Sequence, residues 1–294
     1  MKRIFIIILP VLISFSSFGQ DTIQKKLIKK YIPLKMYEEL IGKPSDTTEF
    51  RYSEDDTLVS VPLDFDPFER RGLVKVPYEA KDSIFLKLYK QVVYNLGETG
   101  SSKERMHYWK DDVKIYIDES VPDDHAKELM VFAENLASDI DSLNISRQYT
   151  REKANYLVYY LNRDHLTDYE PRINAAGNGY YINWNGKQQI YNGKLKINTE
   201  LVKSEFDQIQ LLKSNFFKSL GFFKSSQQLQ CGSFLSPYPG AKKLTDKDME
   251  ILKYHYSYGV CKGVDLKTFT EVTNSMNQKL QEDPNAVLYI AHHE

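Results

Sequence analysis

The side chains that could carry chemistry in this chain form no familiar catalytic or metal-binding pattern. Two histidines four residues apart on a helix bind one Zn²⁺, but none of the six histidines has a partner at such spacing on a predicted helix. No Gly-x-Ser-x-Gly nucleophile elbow and no glycine-rich phosphate loop occurs. Asp246, Asp248 and Glu250 fit the carboxylates of a helix first turn better than a catalytic pair. The sequence therefore predicts no metal and no cofactor.

The remaining polar candidates have simple structural explanations. His255 lies among aromatic residues on a predicted helix and is expected to be partly buried with its hydrogen bonds satisfied. His292 and His293 are expected in a solvated tail. The segment 172–181 is either a loop whose aromatic residues line a groove or, as we prefer, the start of a buried strand.

One predicted helix nevertheless has the outline of an enzyme motif. The segment from Leu211 to Phe222 has an apolar face and ends in Leu-Gly-Phe. It is similar to the active-site helix of metzincin-type zinc proteases, whose pattern is His-Glu-x-x-His-x-x-Gly-x-x-His/Asp. In that pattern the histidines bind zinc, the glutamate activates the metal-bound water and the glycine lets the chain turn. A chance amphipathic helix is the alternative explanation.

The resemblance implies a site that lacks the residues needed to bind zinc and to activate a water molecule. Ser214 and Lys218 stand at the histidine positions and Asn215 at the glutamate position. Gly221 fits the pattern, but Lys224 stands where the third ligand would be. At about 100° per residue, Ser214 and Lys218 are expected together on an outward face, away from the apolar stripe.

The sequence after this helix resembles the same family. The segment 231–239 is similar to the tight turn that carries a methionine under the metal, and Leu235 occupies the methionine position. The segment 244–256 looks like the closing helix of the family. The resemblance covers about residues 110–262. The same architecture without its ligands occurs in a bacterial domain family of unknown function, which the chain also resembles.

The pattern of apolar residues predicts an α+β fold with a mixed sheet. The predicted helices and strands, in chain order, are helices 21–43 and 82–95, strand 113–117, helix 123–143, strands 155–161, 180–184 and 188–197, and helices 204–220 and 245–256, with a strand-like piece at 57–61. The two strands that flank Asn185-Gly186 should form a hairpin. We expect a helical N-terminal region at 20–100 and a metzincin-like domain at 101–294, separated by the polar stretch 97–102.

The first residues resemble an export signal. Lys2 and Arg3 precede the apolar run 4–13 and small residues up to Gly19, so residues 1–19 are predicted to be a cleaved signal peptide. The mature protein is then secreted or periplasmic, with no membrane span. In an oxidising compartment Cys231 and Cys261 are expected to form a disulfide.

Charge and composition limit the function further. The whole chain has formal charge −1, and removal of the two positive charges of Lys2 and Arg3 leaves −3, which gives no basic field for nucleic acid. The expected function is non-catalytic binding of a protein, peptide or envelope component in the former substrate cleft. The alternatives are a hydrolase (peptidase) with an unconventional site, and a structural or assembly protein that uses a tyrosine-rich surface.

Overall fold

The chain folds into two units, and each has its own hydrophobic core. The structure, a computed structural model, describes residues 29–45, 48–53, 56–67, 73–95, 104–173 and 177–293. They belong to two compact units, the first ending at residue 71 and the second beginning at residue 72. The predicted signal peptide and the polar stretch 97–102 lie outside the described residues.

The smaller unit is a three-stranded antiparallel sheet with one short helix. Its elements are β1 (Lys30–Pro33), α1 (Leu34–Leu40), β2 (Phe50–Tyr52) and β3 (Thr57–Val61). The strand order is β1-β3-β2, and Ile32, Val61 and Phe65 form the core. The predicted helix 21–43 is thus wrong over β1, because backbone pairing with β3 holds that segment extended. The strand at 57–61 is confirmed.

The larger unit contains most of the helices and strands that the structure describes. Its elements, in chain order, are β4 (Leu73–Pro77), α2 (Ser83–Tyr94), β5 (Tyr108–Trp109), β6 (Val113–Ile117), α3 (Asp123–Ala137), β7 (Ile145–Gln148), β8 (Tyr156–Leu161), β9 (Gly179–Trp184), β10 (Gln189–Asn198), α4 (Glu205–Ser219), α5 (Asp246–Tyr256), α6 (Leu266–Glu282) and β11 (Tyr289–His293). The fold is α+β, as predicted.

A mixed six-stranded sheet forms the centre of this unit. The strand order is β5-β10-β8-β6-β7, and these neighbours pair in parallel. β9 pairs antiparallel with β10, which confirms the predicted hairpin around Asn185-Gly186. α4 packs on β9 and β10, and Phe216 of α4 also contacts Tyr156 of β8, with ring centroids 5.4 Å apart. One face of the sheet therefore carries the helix that resembles an active-site helix.

Buried ion pairs support the opposite face of β9 and β10. Lys196 is fully buried, and its Nζ lies 2.9 Å from Asp168 Oδ2 and 2.8 Å from the Ile173 carbonyl. Glu170 pairs with Lys194 at 3.1 Å and with Arg172, whose Nη1 donates to Tyr181 on β9 at 2.9 Å. The loop between β8 and β9 is held against the sheet by these contacts.

α2 belongs to the larger unit, which begins at residue 72, whereas the sequence led us to expect a boundary near residue 100. Tyr89 of α2 packs edge-on against Tyr254 of α5, with ring centroids 4.9 Å apart, and lies 5.4 Å from the Phe269 ring of α6. Tyr89 Oη is 3.0 Å from His255 Nδ1. These contacts between distant segments decide the boundary, and a polar stretch in the sequence does not reveal them.

Three further differences from the sequence prediction concern α3, α6 and β11. α3 stops at Ala137, although the apolar pattern suggested a helix to Leu143, and a turn follows. The helix α6 was not predicted, despite helical spacing of its apolar residues. The segment of His292 and His293 is the strand β11, paired with β4, rather than a solvated tail.

Candidate functional site

Helix α4 begins and packs largely as its sequence predicts. The Ser204 hydroxyl accepts a hydrogen bond from the Asp207 amide at 3.3 Å and caps the first turn. Leu212, Phe216 and Leu220 are fully buried. The apolar stripe therefore anchors the helix, as expected for an amphipathic element.

The predicted orientation of the former ligand face is wrong. Ser214 is only 7% exposed, and its hydroxyl donates to the Leu211 carbonyl of its own helix at 3.3 Å. Asn215 and Lys218 are partly buried rather than outward. The reason is tertiary, because α3 packs beside α4 and Glu128 of α3 forms an ion pair with Lys213 at 2.6 Å.

The surroundings of Lys218 disfavour the charged form of its side chain. Its Nζ donates to Ser225 Oγ at 3.2 Å. Burial lowers the pKa of Lys218, the positive charge of Lys242 lowers it further, and Asp248 opposes both effects. A divalent metal ion beside this ammonium would be repelled by its positive charge.

The turn that contains Leu235 is rigid and fully packed. Leu235 and the Asp248 carboxylate are both 0% exposed. Asp248 accepts hydrogen bonds from Ser233 Oγ at 2.6 Å and from the Phe234 amide at 3.2 Å, and completes the predicted capping box with Thr245. Asp248 is therefore a structural carboxylate, consistent with the expectation for this first turn.

Lys242 closes the same turn from the other side. Its Nζ donates to the carbonyls of Cys231, Ser236 and Tyr238 at 2.9, 3.0 and 2.6 Å. One ammonium thus holds three backbone oxygens that would otherwise need water.

Gly221 is required by a close approach rather than by a left-handed backbone. A Cβ at Gly221 would overlap the Phe223 ring and lie 2.9 Å from His255 Nε2. The left-handed residue is Phe222, with φ of 54°, a conformation that is uncommon for a bulky side chain. This conformation directs the chain so that the Lys224 amide donates to the Val92 carbonyl at 2.8 Å.

Phe222 and Lys224 join an aromatic cluster that sequence reasoning missed. We define the aromatic cluster as His107, Tyr180, Trp184, Phe222 and Lys224. Lys224 Nζ lies 3.2 Å from the Phe222 ring centroid, and the His107 and Trp184 rings are tilted by 38° with centroids 4.1 Å apart. Both rings lie 5.5 Å from Phe222. The alternation of Tyr180, Ile182 and Trp184 along one strand was the available signal.

The cluster combines a neutral buried imidazole with an exposed aromatic edge. Burial, and secondarily the charge of Lys224, lower the pKa of His107 to about 4, so the ring is neutral at pH 7. His107 Nδ1 is buried and has no hydrogen-bond partner among the described residues. Trp184, by contrast, is 40% exposed. The cluster therefore offers a ligand the exposed part of the Trp184 ring, with the Lys224 ammonium over the neighbouring Phe222 ring.

Comparison with known families places these features in context. The model of a family described as protein of unknown function, DUF2927, matches residues 85–273, well over half of the chain. The chain belongs to the DUF2927 family. No curated protein matches the chain. The match contains every position of the former ligand set and the aromatic cluster, whereas the smaller unit and β11 lie outside it.

The histidine, cysteine and carboxylate side chains of the DUF2927 region lie apart from one another in the part of the chain that the structure describes. No group of three or more His, Cys, Asp or Glu side chains is positioned to hold an ion there. His255 is fully buried between Tyr89 and the His107 carbonyl, which lies 2.9 Å from its Nε2. His255 is thus a core histidine, in line with its sequence context.

The predicted disulfide is not present in the structure. Cys231 and Cys261 are both free thiols. Cys231 is exposed in the turn closed by Lys242, whereas Cys261 follows α5 and lies near the phenols of Tyr78 and Tyr254. Because the two thiols occupy different environments, the even cysteine count was a poor guide to pairing.

Proposed function

We propose that this DUF2927 protein is an exported, non-catalytic binding protein, and that it holds an extended peptide or protein segment at β9 and the aromatic cluster. One observation carries the proposal. β9 pairs with β10 on one side and has no second partner strand among the described residues, while Trp184 at its end is 40% exposed and lies beside Phe222. An unpaired strand edge binds extended chains through backbone hydrogen bonds, and neighbouring side chains supply specificity.

The residue types near α4 support binding rather than hydrolysis. The Ser214 hydroxyl is bonded within its own helix, and no titratable side chain hydrogen-bonds to it among the described residues. Asn215 cannot act as a general base, and the Lys218 ammonium occupies a former ligand position. A peptidase with an unconventional site would need titratable groups that converge near Ser214, and no contact of Ser214 favours it.

The metzincin-like architecture is part of the same proposal. The supporting features are a helix packed on the antiparallel edge hairpin, a tight turn with buried Leu235, and a capped helix that follows it. The export signal at residues 1–19 also belongs to the proposal, with a secreted or periplasmic location. No helix in the described ranges is long and apolar enough to cross a membrane.

A peptide library tests the binding site. We would select phage-displayed peptides against the mature protein and measure dissociation constants by fluorescence polarisation. Trp184→Ala should weaken binding at least tenfold, the scale of an interface hot spot. Tyr149→Ala removes a ring that is more exposed but lies beyond β7, so it should change binding less than twofold. Equal effects of the two variants, or no enriched peptide, would contradict the proposal.

Metal analysis tests the scaffold and the lack of catalysis. We would measure zinc by elemental analysis after zinc-replete expression of the wild type and of a triple variant, Ser214→His with Asn215→Glu and Lys218→His. Zinc in the variant alone is expected. Stoichiometric zinc in the wild type would overturn the non-catalytic assignment, and no zinc in either protein would refute the metzincin-like geometry.

A further inference from the structure

A cleft of about 470 Å³ lies in the larger unit, and none of its lining residues belongs to the aromatic cluster. It is formed by residues 76–79 at the end of β4, residues 139–142 after α3, and residues between 253 and 259 at the end of α5. Sites for small organic molecules commonly have volumes of about 300–1,000 Å³. The cleft therefore has the size of a site for one small molecule.

The buried lining residues hold the cleft in a fixed shape. Tyr256 is 2% exposed, and its hydroxyl donates to the Leu220 carbonyl at 2.6 Å. The Tyr256 carbonyl accepts a hydrogen bond from Ser142 Oγ at 2.6 Å. A Cβ at Gly259 would lie 2.7 Å from the Pro77 carbonyl oxygen, so the end of β4 lies directly against the segment that follows α5. Contacts between distant segments of the chain therefore fix the walls of the cleft.

The charges of the lining residues favour a cation. Three carboxylates and one ammonium, which together have a formal charge of −2, line the cleft: Glu79, Asp139, Asp141 and Lys253. Lys253 Nζ lies 2.9 Å from Asp139 Oδ2. Glu79 Oε1 lies 3.2 Å from Lys81 Nζ. Asp141 is exposed and forms no ion pair with the residues that the structure describes, so its negative charge is available to a ligand.

The rest of the lining suits an apolar chain that ends in a cation. Val76 and Ile140 provide apolar surface, and the Tyr258 ring is 55% exposed. A tyrosine ring attracts a cation through its π electrons. An anion would be repelled by the carboxylates, and a wholly apolar molecule would remove water from Asp141 without replacing it by a polar contact. The lining therefore favours an ammonium ion on a short alkyl chain.

We propose that this cleft binds a small alkylammonium ion, with the ammonium beside Asp141 and the alkyl chain against Val76 and Ile140. A free diamine and a lysine side chain of another polypeptide both carry this group. The site does not depend on the binding function proposed above, because no residue of β9 or of the aromatic cluster lines the cleft.

Isothermal titration calorimetry of the mature protein with cadaverine tests the site. Cadaverine should bind, and the neutral diol of the same length should bind at least about tenfold more weakly, because it has no charge to pair with Asp141. Asp141→Asn should weaken cadaverine binding about fivefold, the scale of one partly exposed ion pair. Glu128→Gln removes an exposed carboxylate that does not line the cleft, so it should change binding less than about twofold. No binding of cadaverine, equal binding of the diol, or equal binding by Asp141→Asn and the wild type would each overturn the proposal.

A lysine derivative distinguishes the two sources of the cation. Nα-acetyl-lysine amide carries the same ammonium on a peptide backbone. Tighter binding of this compound than of cadaverine assigns the site to a polypeptide partner, and the opposite order assigns it to a free amine. A crystal structure of the cadaverine complex should place an ammonium within hydrogen-bonding distance of the Asp141 carboxylate. Cadaverine bound elsewhere on the protein, with the cleft empty, would refute the assignment.

Discussion

Glu170→Gln should weaken the larger unit at neutral pH and make it less sensitive to acid. The Glu170 carboxylate is only 2% exposed. It accepts hydrogen bonds from Arg172 Nε at 2.5 Å, Arg172 Nη2 at 2.9 Å and Lys194 Nζ at 3.1 Å. Glutamine keeps the shape of the side chain but removes the negative charge that both cations face.

The size of the effect follows from the ionisation of Glu170. The hydrogen bonds from Arg172, followed by the contacts with Lys194, hold its pKa at about 2, below the ordinary value of 4.5 and against the effect of burial. At about 1.4 kcal/mol per pKa unit, this difference corresponds to about 3 kcal/mol. Because Arg172 is 57% exposed, solvent screening should reduce the loss to about 2 kcal/mol at pH 7.

The pH dependence has a defined direction. The folded-state pKa lies below the unfolded-state value, so the stabilisation is present above about pH 4.5 and is lost as the pH falls toward 2. The wild type should therefore lose stability over this range by about 2 kcal/mol more than Glu170→Gln does. The two proteins should become similar in stability near pH 2.

Urea unfolding at pH 7, 5, 4 and 3 measures this difference. Tryptophan fluorescence reports on the larger unit, because Trp109 and Trp184 both belong to it and the chain has two tryptophans. Glu128→Gln is the control, since it removes an exposed ion pair with Lys213 and should cost less than about 0.5 kcal/mol. A Glu170→Gln loss below 0.5 kcal/mol, or one that stays constant from pH 7 to 3, would refute the reasoning.

Two further predictions concern the close approach at the end of α4 and the cysteines. Gly221→Ala should destabilise the larger unit by about 1–3 kcal/mol in urea unfolding, because the new methyl group overlaps the Phe223 ring and approaches His255. Cys231 should react rapidly with a thiol reagent in the native protein, whereas Cys261 should react slowly, because it is partly buried and burial raises its pKa. Mass spectrometry of the labelled protein would assign each site.

Each of these predictions has a direct control. Gly186→Ala places the same methyl group in open space, so it should cost less than Gly221→Ala, and equal costs would count against the packing argument. Labelling of both thiols is expected after denaturation without reductant. If neither cysteine were labelled under those conditions, the result would favour the predicted disulfide.

Local features of the sequence predicted much of the larger unit. β6, β8 and the β9–β10 hairpin were predicted from alternating apolar residues and from Asn185-Gly186. The capping box of Thr245 and Asp248 marked the start of α5. These features depend on residues that are close in the chain, so propensity, turn chemistry and capping were enough to reveal them.

Predictions that needed distant contacts were less successful. The helix expected at 21–43 overlaps β1, because pairing with β3 outweighs helical spacing there. Ser214 is only 7% exposed, although helical geometry on its own predicted that it would point outward. The domain boundary was placed near residue 100 because the contacts of α2 with α5 and α6 are invisible in a linear pattern.

The sequence alone determined which residue types lie along α4, among them Ser214 and Lys218. That conclusion needs no coordinates, and neither side chain can serve as an imidazole ligand. Only the tertiary structure assembled the aromatic cluster. Its members, such as His107, Trp184 and Phe222, are tens of residues apart in the chain and meet because the sheet and α4 bury a shared apolar surface.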